Sequence, residues 1–382
     1  MSLIIPLALK SISTAVPPIV INGEIDKILV NNEITYIFGF FDNITGVDRK
    51  NIASINNNSK TITNFYQNGT DLGIQYDAAL MKRPDNTDSI VVRSINLNNE
   101  KIIQLDKTTG NILSSGPSYA GVRNIFKFFI DPYINNSEIF AIGAFQKIGT
   151  FTKNGFAKFN NNLSVNSTWT CSPNPIYTVY ALCSSHLSTH IYAGGEFNTI
   201  KGIARKRIAR IRKTDGAVDT SFTYTPTLNG NNDVIYSMDL SSNGRLFVGG
   251  VWASTTPIFR CLNTNGTLFL DLTGNIPSLN YSLDAVRNIK INSFDQKIYT
   301  SLISYESSDT VLFRFNSNGS LDTTFNSPSG YVVFSNQNVS SLINFDFDNT
   351  NGLISVGGRF DTVNGNSVSN FAYLSSDGSF VL

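Results

Sequence analysis

Apolar and polar residues alternate at period two along this chain in short runs, and each run stops at a cluster of Gly, Asn or Asp. Runs such as DVIYSMDL from Asp233, VLFRF from Val311 and VSSLINF from Val339 are rich in β-branched and aromatic residues, as half-buried strands are. Nowhere do apolar residues recur at the three- and four-residue spacing of a long amphipathic helix. The pattern predicts an all-β chain of many short antiparallel strands.

The runs also repeat. Aligning the Gly-x-aromatic corners places Gly39 (FGFF), Gly143 (IGAF), Gly195 (GGEF), Gly250 (GGVW) and Gly358 (GGRF) in register, with Ser94 and Leu302 at the same place in two degenerate copies. The resulting period, about 53 residues, is close to one blade of a kelch-type propeller. A second strand follows each corner: NIASI at Asn51, KIIQL at Lys101, GFAKF at Gly155, RIARI at Arg207, PIFRC at Pro257, VLFRF at Val311 and NFAYL at Asn370. Then come TDG, TNG, SNG or SDG before Ala217, Thr267, Ser320 and Ser379. These read as type I′ hairpins, whose two central residues need positive φ.

With a further strand ahead of each corner, a unit has four strands. One such sheet cannot bury both of its faces, so each needs a neighbour on either side. The expected fold is a single-domain, seven-bladed β-propeller of four-stranded antiparallel blades spanning residues 1–382, with blades at roughly 22–73, 74–121, 122–174, 175–232, 233–283, 284–335 and 336–382. The last copy ends in SFVL at the start of a fourth strand, so residues 1–21 are expected to complete that blade and close the ring. Phe197 and its equivalents Phe41, Phe145, Trp252 and Phe360 are expected to plug the space between blades, and Asp219 and Asp322 to accept backbone hydrogen bonds at a turn.

The segment IYAGGEFNTIKGIARKRIARIRKTDGAVDTSF resembles the delta-60 type of β-propeller repeat: a Gly-Gly-x-Phe corner, an Ile-Ala-Arg strand and a Gly-x-Leu-Asp-x-x-Phe close. Gly194, Gly195, Phe197, Ile200, Gly202, Ile208, Ala209, Arg210, Asp215, Gly216, Asp219 and Phe222 carry the likeness. Gly319, Leu321, Asp322 and Phe325 repeat its close, and Gly357, Gly358, Phe360, Val363 and Gly365 repeat its corner. The resemblance implies fold, in a family of bacterial surface and phage proteins with varied roles, and it carries over no catalytic residue.

Composition narrows the function classes. With 29 Lys and Arg against 28 Asp and Glu, the net charge is +1, so no field favours nucleic acid. Asn accounts for 46 of the 382 residues, which suits a turn-rich fold. Cys171, Cys183 and Cys261 are too few for a disulfide framework and read as buried small hydrophobes. The N-terminal apolar run, Leu3 to Leu9, contains Pro6 and has no preceding cation or cleavage site, so it reads as mature protein, and no run is long enough to span a membrane.

Candidate chemistry is sparse. His186 and His190 are the only histidines and fall on a hairpin away from any Cys, so metal binding is not expected. DFDNTNG, Asp346 to Gly352, imitates a calcium loop, but its glycine comes one place late and no Glu closes it; it reads as a hairpin turn. No cofactor fingerprint occurs, and none is expected. The run KGIARKRIARIRK offers Lys201, Arg205, Lys206, Arg212 and Lys213 as an anion or partner contact, with Arg207 and Arg210 read as structural. Residues near the starts of the inner strands, Arg123, Arg287, Tyr177 and Tyr236, with Gln75 and Ser340 at comparable places, are the candidate ligand site at a channel mouth.

The expectation is a non-enzymatic interaction or structural module, one protein subunit among others in a larger assembly such as a phage tail or virion, with a host surface glycan as a further partner in attachment. The alternatives are a secreted or cell-surface carbohydrate-binding propeller, and a propeller-based polysaccharide lyase or hydrolase.

Overall fold

Each alternating run forms a strand. The computed structural model describes residues 18–66, 72–73, 77–83, 85–96, 99–120, 125–130, 138–143, 145–174, 178–185, 187, 189–224, 233–252, 256–336 and 342–381. Among these, the strands form seven antiparallel meanders, led in chain order by Glu24–Asn31, Ala78–Lys82, Ile125–Ile130, Val179–Ser184, Val234–Leu240, Ala285–Ile291 and Leu342–Asp348. The fifth shows the complete order: Val234–Leu240, Leu246–Trp252, Thr256–Leu262 and Leu268–Asp271, each paired with the next. In the third and fourth sheets the fourth strand shrinks to single bridges, Phe159–Val165 and Ile211–Val218. Helical turns among the described residues are confined to Thr273–Asn275 and Asn326–Gly330, and no helix is long and apolar enough to cross a membrane. The protein is all-β.

The hydrophobic core is divided into clusters, each drawn from two sheets. Phe140, Phe156 and Trp169 of the third repeat meet Ile191, Phe197 and Ala209 of the fourth; Tyr299, Leu312 and Phe334 of the sixth meet Phe345, Val356 and Phe360 of the seventh. A further cluster joins the two ends of the chain, with Ile25, Ile28, Ile37 and Phe41 of the first sheet against Phe371 and Tyr373 of the seventh. The two glycines of each pair have separate jobs. A Cβ on Gly194 would lie 2.9 Å from Ile235 of the next sheet, and one on Gly357 would lie 2.6 Å from Ile28 of the first. A Cβ on Gly195 or Gly250 would instead strike the carbonyl of Thr178 or Val234, in the bulged inner strand of its own sheet. The first glycine therefore admits the neighbouring sheet, and the second admits the bulge.

After the corner, a two-residue hairpin docks backwards. Thr362–Val363 pairs with Phe334–Ser335 of the preceding sheet, Lys147–Ile148 with Tyr119–Ala120, and Thr199–Ile200 with Pro173–Asn174. In the first repeat Ile44 bridges Ile21, while Val20 bridges Ser369 of the seventh, so residues 20 and 21 stand to this corner as Phe334 and Ser335 stand to the last one. Phe380–Val381 forms the short fourth strand of the seventh sheet. The proposed contribution of residues 1–17 lies outside the described residues.

Two details differ from the sequence reading. Positive φ at both central residues occurs in the corner hairpins, at Thr45–Gly46, Lys201–Gly202 and Asn364–Gly365. The TNG-type turns have it at the glycine alone, Gly216, Gly266, Gly319 and Gly378. They are three-residue hairpins, and their Asn or Asp serves as an acceptor: Asn265 Oδ1 takes the Thr267 amide at 3.1 Å, and Asp377 Oδ1 takes that of Ser379 at 3.0 Å. Trp252 is half-buried in a strand end and does not plug an interface as Phe41, Phe145, Phe197 and Phe360 do, because its corner continues as regular pairing, Trp252 opposite Thr256.

The Arg and Asp of the repeat form one device. Arg210 Nε donates to Asp219 Oδ2 at 2.8 Å, while its Nη1 crosses to the Thr264 carbonyl of the next sheet's turn at 2.7 Å. Arg314 pairs with Asp322 in the same way and reaches the Ser376 carbonyl. Both guanidiniums lie over the phenylalanine that closes the repeat, 5.4 Å from the Phe222 ring and 4.8 Å from that of Phe325. Asp219 Oδ1 also accepts the Ser221 amide and hydroxyl. Burial works against the Asp219 carboxylate, but the Ser221 hydrogen bonds and Arg210 outweigh it and hold its pKa at about 2.

Two outcomes follow. Phe197→Ala should lower stability by about 3 to 5 kcal/mol in urea unfolding, and Trp252→Ala by clearly less, since only the former leaves an interior cavity. The folded Asp219 ionises below the unfolded value of about 3.9, so its contribution is complete above pH 4 and is lost as pH falls toward 2. The difference in urea midpoint between wild type and Asp219→Asn should therefore be widest at neutral pH and shrink below pH 4; a constant gap would remove the carboxylate from the account.

Candidate ligand-binding channel and its entrance

All seven inner strands contribute to a cavity of about 380 Å³. Each inner strand is the edge strand of its sheet beside this cavity, and its buried N–H groups need acceptors. Polar side chains of the preceding sheet supply them. Ser237 Oγ accepts the Ile289 amide at 2.8 Å and Asp239 Oδ2 that of Ile291 at 2.7 Å. Asp77 Oδ2 accepts from Phe128 at 2.5 Å. Across the chain ends, Asn344 Oδ1 accepts from Ile28 at 3.2 Å and Asp346 Oδ2 from Val30 at 2.9 Å.

Three lysines share this space. Lys27 Nζ pairs with Asp77 Oδ1 at 3.0 Å and Lys290 Nζ with Asp346 Oδ1 at 2.5 Å. Lys127 has neither hydrogen bond nor ion pair among the described residues. Burial and the neighbouring Lys27 depress its pKa, opposed by Asp77, Cys183 and Asp239. Burial raises the pKa of Asp239 despite the two amides, Ile291 and Leu240, that it accepts. Asp26, at the bulge of the first inner strand, is pushed up to about 6 by burial, with Arg93 opposing and Asp77 adding to the rise. None of these channel residues was selected from sequence. The available signal was a polar residue one or three places past the bulge, as in Ser237 and Asp239 or Asn288 and Lys290, although the fourth inner strand has Ala181 and Cys183 there.

At the N-terminal ends of three successive inner strands, the bulge residues Tyr180, Tyr236 and Arg287 form a cluster. The Arg287 guanidinium lies 4.2 Å from the Tyr236 ring centroid, and its Nη2 donates to the Tyr305 hydroxyl at 2.5 Å. The Tyr180 and Tyr236 rings are 5.9 Å apart, and the Tyr180 hydroxyl donates to Glu196 Oε2 at 3.4 Å. Tyr305 is 48% exposed, and the buried Arg287 Nε has no hydrogen-bond partner among the described residues. The structure thus brings Tyr236 and Arg287 together and adds Tyr180, Glu196 and Tyr305. Arg123, Tyr177, Gln75 and Ser340 lie outside the described residues.

The basic run does not form one patch. Lys201 and Lys206 are exposed at the corner hairpin, with Arg205 partly buried beside them and donating to the Ala204 carbonyl. Arg212, half exposed, is ion-paired with Asp215 at 2.9 and 2.5 Å, and Lys213 is buried and offers no cation to a partner. This corrects the place of Lys213 in the candidate contact: it is buried in the turn that follows the strand Ile208–Arg212, while the turn acid pairs with the half-exposed Arg212. His190 lies 3.6 Å from Asp219 and has its pKa lowered by burial, while His186 lies outside the described residues. In the calcium-like loop, Asp346 faces the channel, whereas Asp348 is buried, accepts from Thr350 and Asn57, and belongs to a regular hairpin. Cys171, Cys183 and Cys261 are free and buried.

Residues 190–222 and 303–325 match the family described as a domain of unknown function (DUF5122) β-propeller. No curated protein matches the chain. A solved structure described as the Dos1 propeller is 12% identical with a TM-score of 0.51, covering 94% of this chain and 78% of its own. A quinonprotein alcohol dehydrogenase-like protein from Bacteroides thetaiotaomicron is 10% identical with a TM-score of 0.47, covering 78% of this chain and 64% of its own. The chain is a β-propeller repeat protein.

Proposed function

We propose that this β-propeller repeat protein is a seven-bladed ring, shut by contact between its first and last sheets, and that it serves as a non-catalytic binding module in a larger assembly such as a phage tail or virion. On this reading the entrance cluster takes a glycan on a host surface. The Tyr236–Arg287 pair carries the proposal. The Tyr236 ring, with that of Tyr180 beside it, offers apolar surface to the apolar face of a pyranose, while the exposed Tyr305 hydroxyl and the Glu196 carboxylate are placed to donate to and accept from hydroxyls. Exposed Lys201 and Lys206, with Arg205, are the proposed contact to a neighbouring subunit. Closure is supported by the apolar cluster shared by the first and seventh sheets and by Gly357 against Ile28, which repeats the relation of Gly194 to Ile235.

Two experiments test the two parts. On a glycan array followed by calorimetry, a glycan bound by wild type should bind at least about tenfold more weakly to Tyr236→Ala and Arg287→Ala, with Lys206→Ala unchanged. Equal binding by all variants would reject the entrance, and turnover of the bound glycan would reject a non-catalytic role. For closure, Gly357→Val overpacks the junction between the chain ends and should cost about 1 to 3 kcal/mol; unchanged unfolding would leave the ring open.

A further inference from the structure

The fifth repeat departs from its neighbours at the outer strand. The hairpin glycine stands three places before the aspartate of the inter-sheet tie at Gly216 and Asp219 and at Gly319 and Asp322, but five places before it at Gly266 and Asp271. Asp271 still pairs with Arg260, at 3.2 Å, as Asp219 and Asp322 pair with Arg210 and Arg314. Phe269 and Leu270 are therefore two extra residues that the tie does not need. They lengthen what is a single bridge at Val218 and Leu321 into the strand Leu268–Asp271. Leu268, Phe269 and Leu270 are 39%, 47% and 38% exposed, a run of three apolar side chains that a surface without a partner rarely carries. The strand pairs with Thr256–Leu262, and its other edge is open among the described residues. Elsewhere the outer strands are two residues long, as Thr61–Ile62 and Phe380–Val381, or take the next repeat's hairpin, as Ile112–Ala120 and Tyr331–Ser335 do. An open apolar edge is a template for another strand.

We propose that Leu268–Asp271 is the interface with a second copy of this chain: the two outer strands pair antiparallel about a twofold axis and join two fifth sheets into one. The order of residues suits self-pairing. A twofold sets the middle of the strand, Phe269 and Leu270, against the same residues of the other copy, so apolar side chains meet apolar ones on both sides. Charge suits it as well. Asp271 closes the strand at one end, while the Arg245 guanidinium donates to Asn263 at the turn that opens the other, and it forms no ion pair among the described residues. Antiparallel pairing carries the Asp271 end of each strand to the Arg245 end of the other; parallel pairing would set like charges side by side. The strand bulges at Phe269, between the pairs Cys261–Leu270 and Leu262–Leu268, and Arg245 lies 3.5 Å from the Phe269 ring centroid. An aromatic ring held on an arginine is a suitable anchor for such a contact. None of these residues belongs to the entrance cluster or lines the channel, so the test does not depend on what either binds.

Sedimentation equilibrium on the full chain reads the proposal directly. At about 50 μM the purified protein should show twice the 41.9 kDa of one chain. Phe269→Lys and Leu270→Lys, which bring like charges together at the axis, should each weaken the dimer at least about tenfold. Both side chains are exposed, so the urea midpoint should stay where it is in wild type. Phe294→Lys, at an 82% exposed phenylalanine on another turn, should leave the dimer intact. Cross-linking supplies a second measurement. Leu270→Cys copies should be joined in pairs by a short bismaleimide and Phe294→Cys copies should not, the native thiols Cys171, Cys183 and Cys261 being buried. The proposal is overturned by a wild-type chain that is monomeric at this concentration, by a dimer that survives both lysine substitutions in this strand, by a dimer lost in Phe294→Lys, or by Leu270→Cys copies that do not cross-link.

Discussion

A short antiparallel sheet that is apolar on both faces has nowhere to put the second face except against another sheet. In this protein that constraint is met one interface at a time. The clusters of buried residues each span two sheets, and a glycine in the second strand removes the one Cβ that would keep the next inner strand at a distance. Gly194 faces Ile235 and Gly357 faces Ile28, so the first sheet occupies, relative to the seventh, the place that the fifth occupies relative to the fourth.

The polar part of the repeat follows from the same need. Arg210 and Arg314 sit in third strands, each donating locally to an aspartate and to the hydroxyl two residues after it, and each guanidinium sends its Nη1 to a carbonyl in the next sheet's turn. The residues that look most like a chemical signature, an arginine, an aspartate and a closing phenylalanine, are therefore an inter-sheet tie. What remains for recognition are positions the repeat leaves unspecified. The bulge residues Tyr180, Tyr236 and Arg287, and the channel residues Lys27, Lys127, Asp239 and Lys290, differ from sheet to sheet although their backbone places are equivalent.

The strands named by alternation, the corner phenylalanines and the inward role of Arg210 were legible in the sequence, because period-two burial and a local Asp nine residues away are properties of neighbouring positions. The turn type at TNG was misread because an Asn acting as an Asx acceptor leaves the same letters as one in the left-handed region. Lys213 was misplaced because a run of cations gives no sign of which ones the fold buries.

The sequence alone determined an all-β repeat with its strands and corners, since each depends on contacts within a few residues or one hairpin. Only the tertiary structure decided which side chains share the channel. Lys127 and Asp239 are more than a hundred residues apart, and they share a cavity with Lys27 and Lys290 only because inner strands from separate repeats stand side by side. The bulge cluster has the same origin: Tyr236 and Arg287 become partners because the bulges of two consecutive sheets lie side by side.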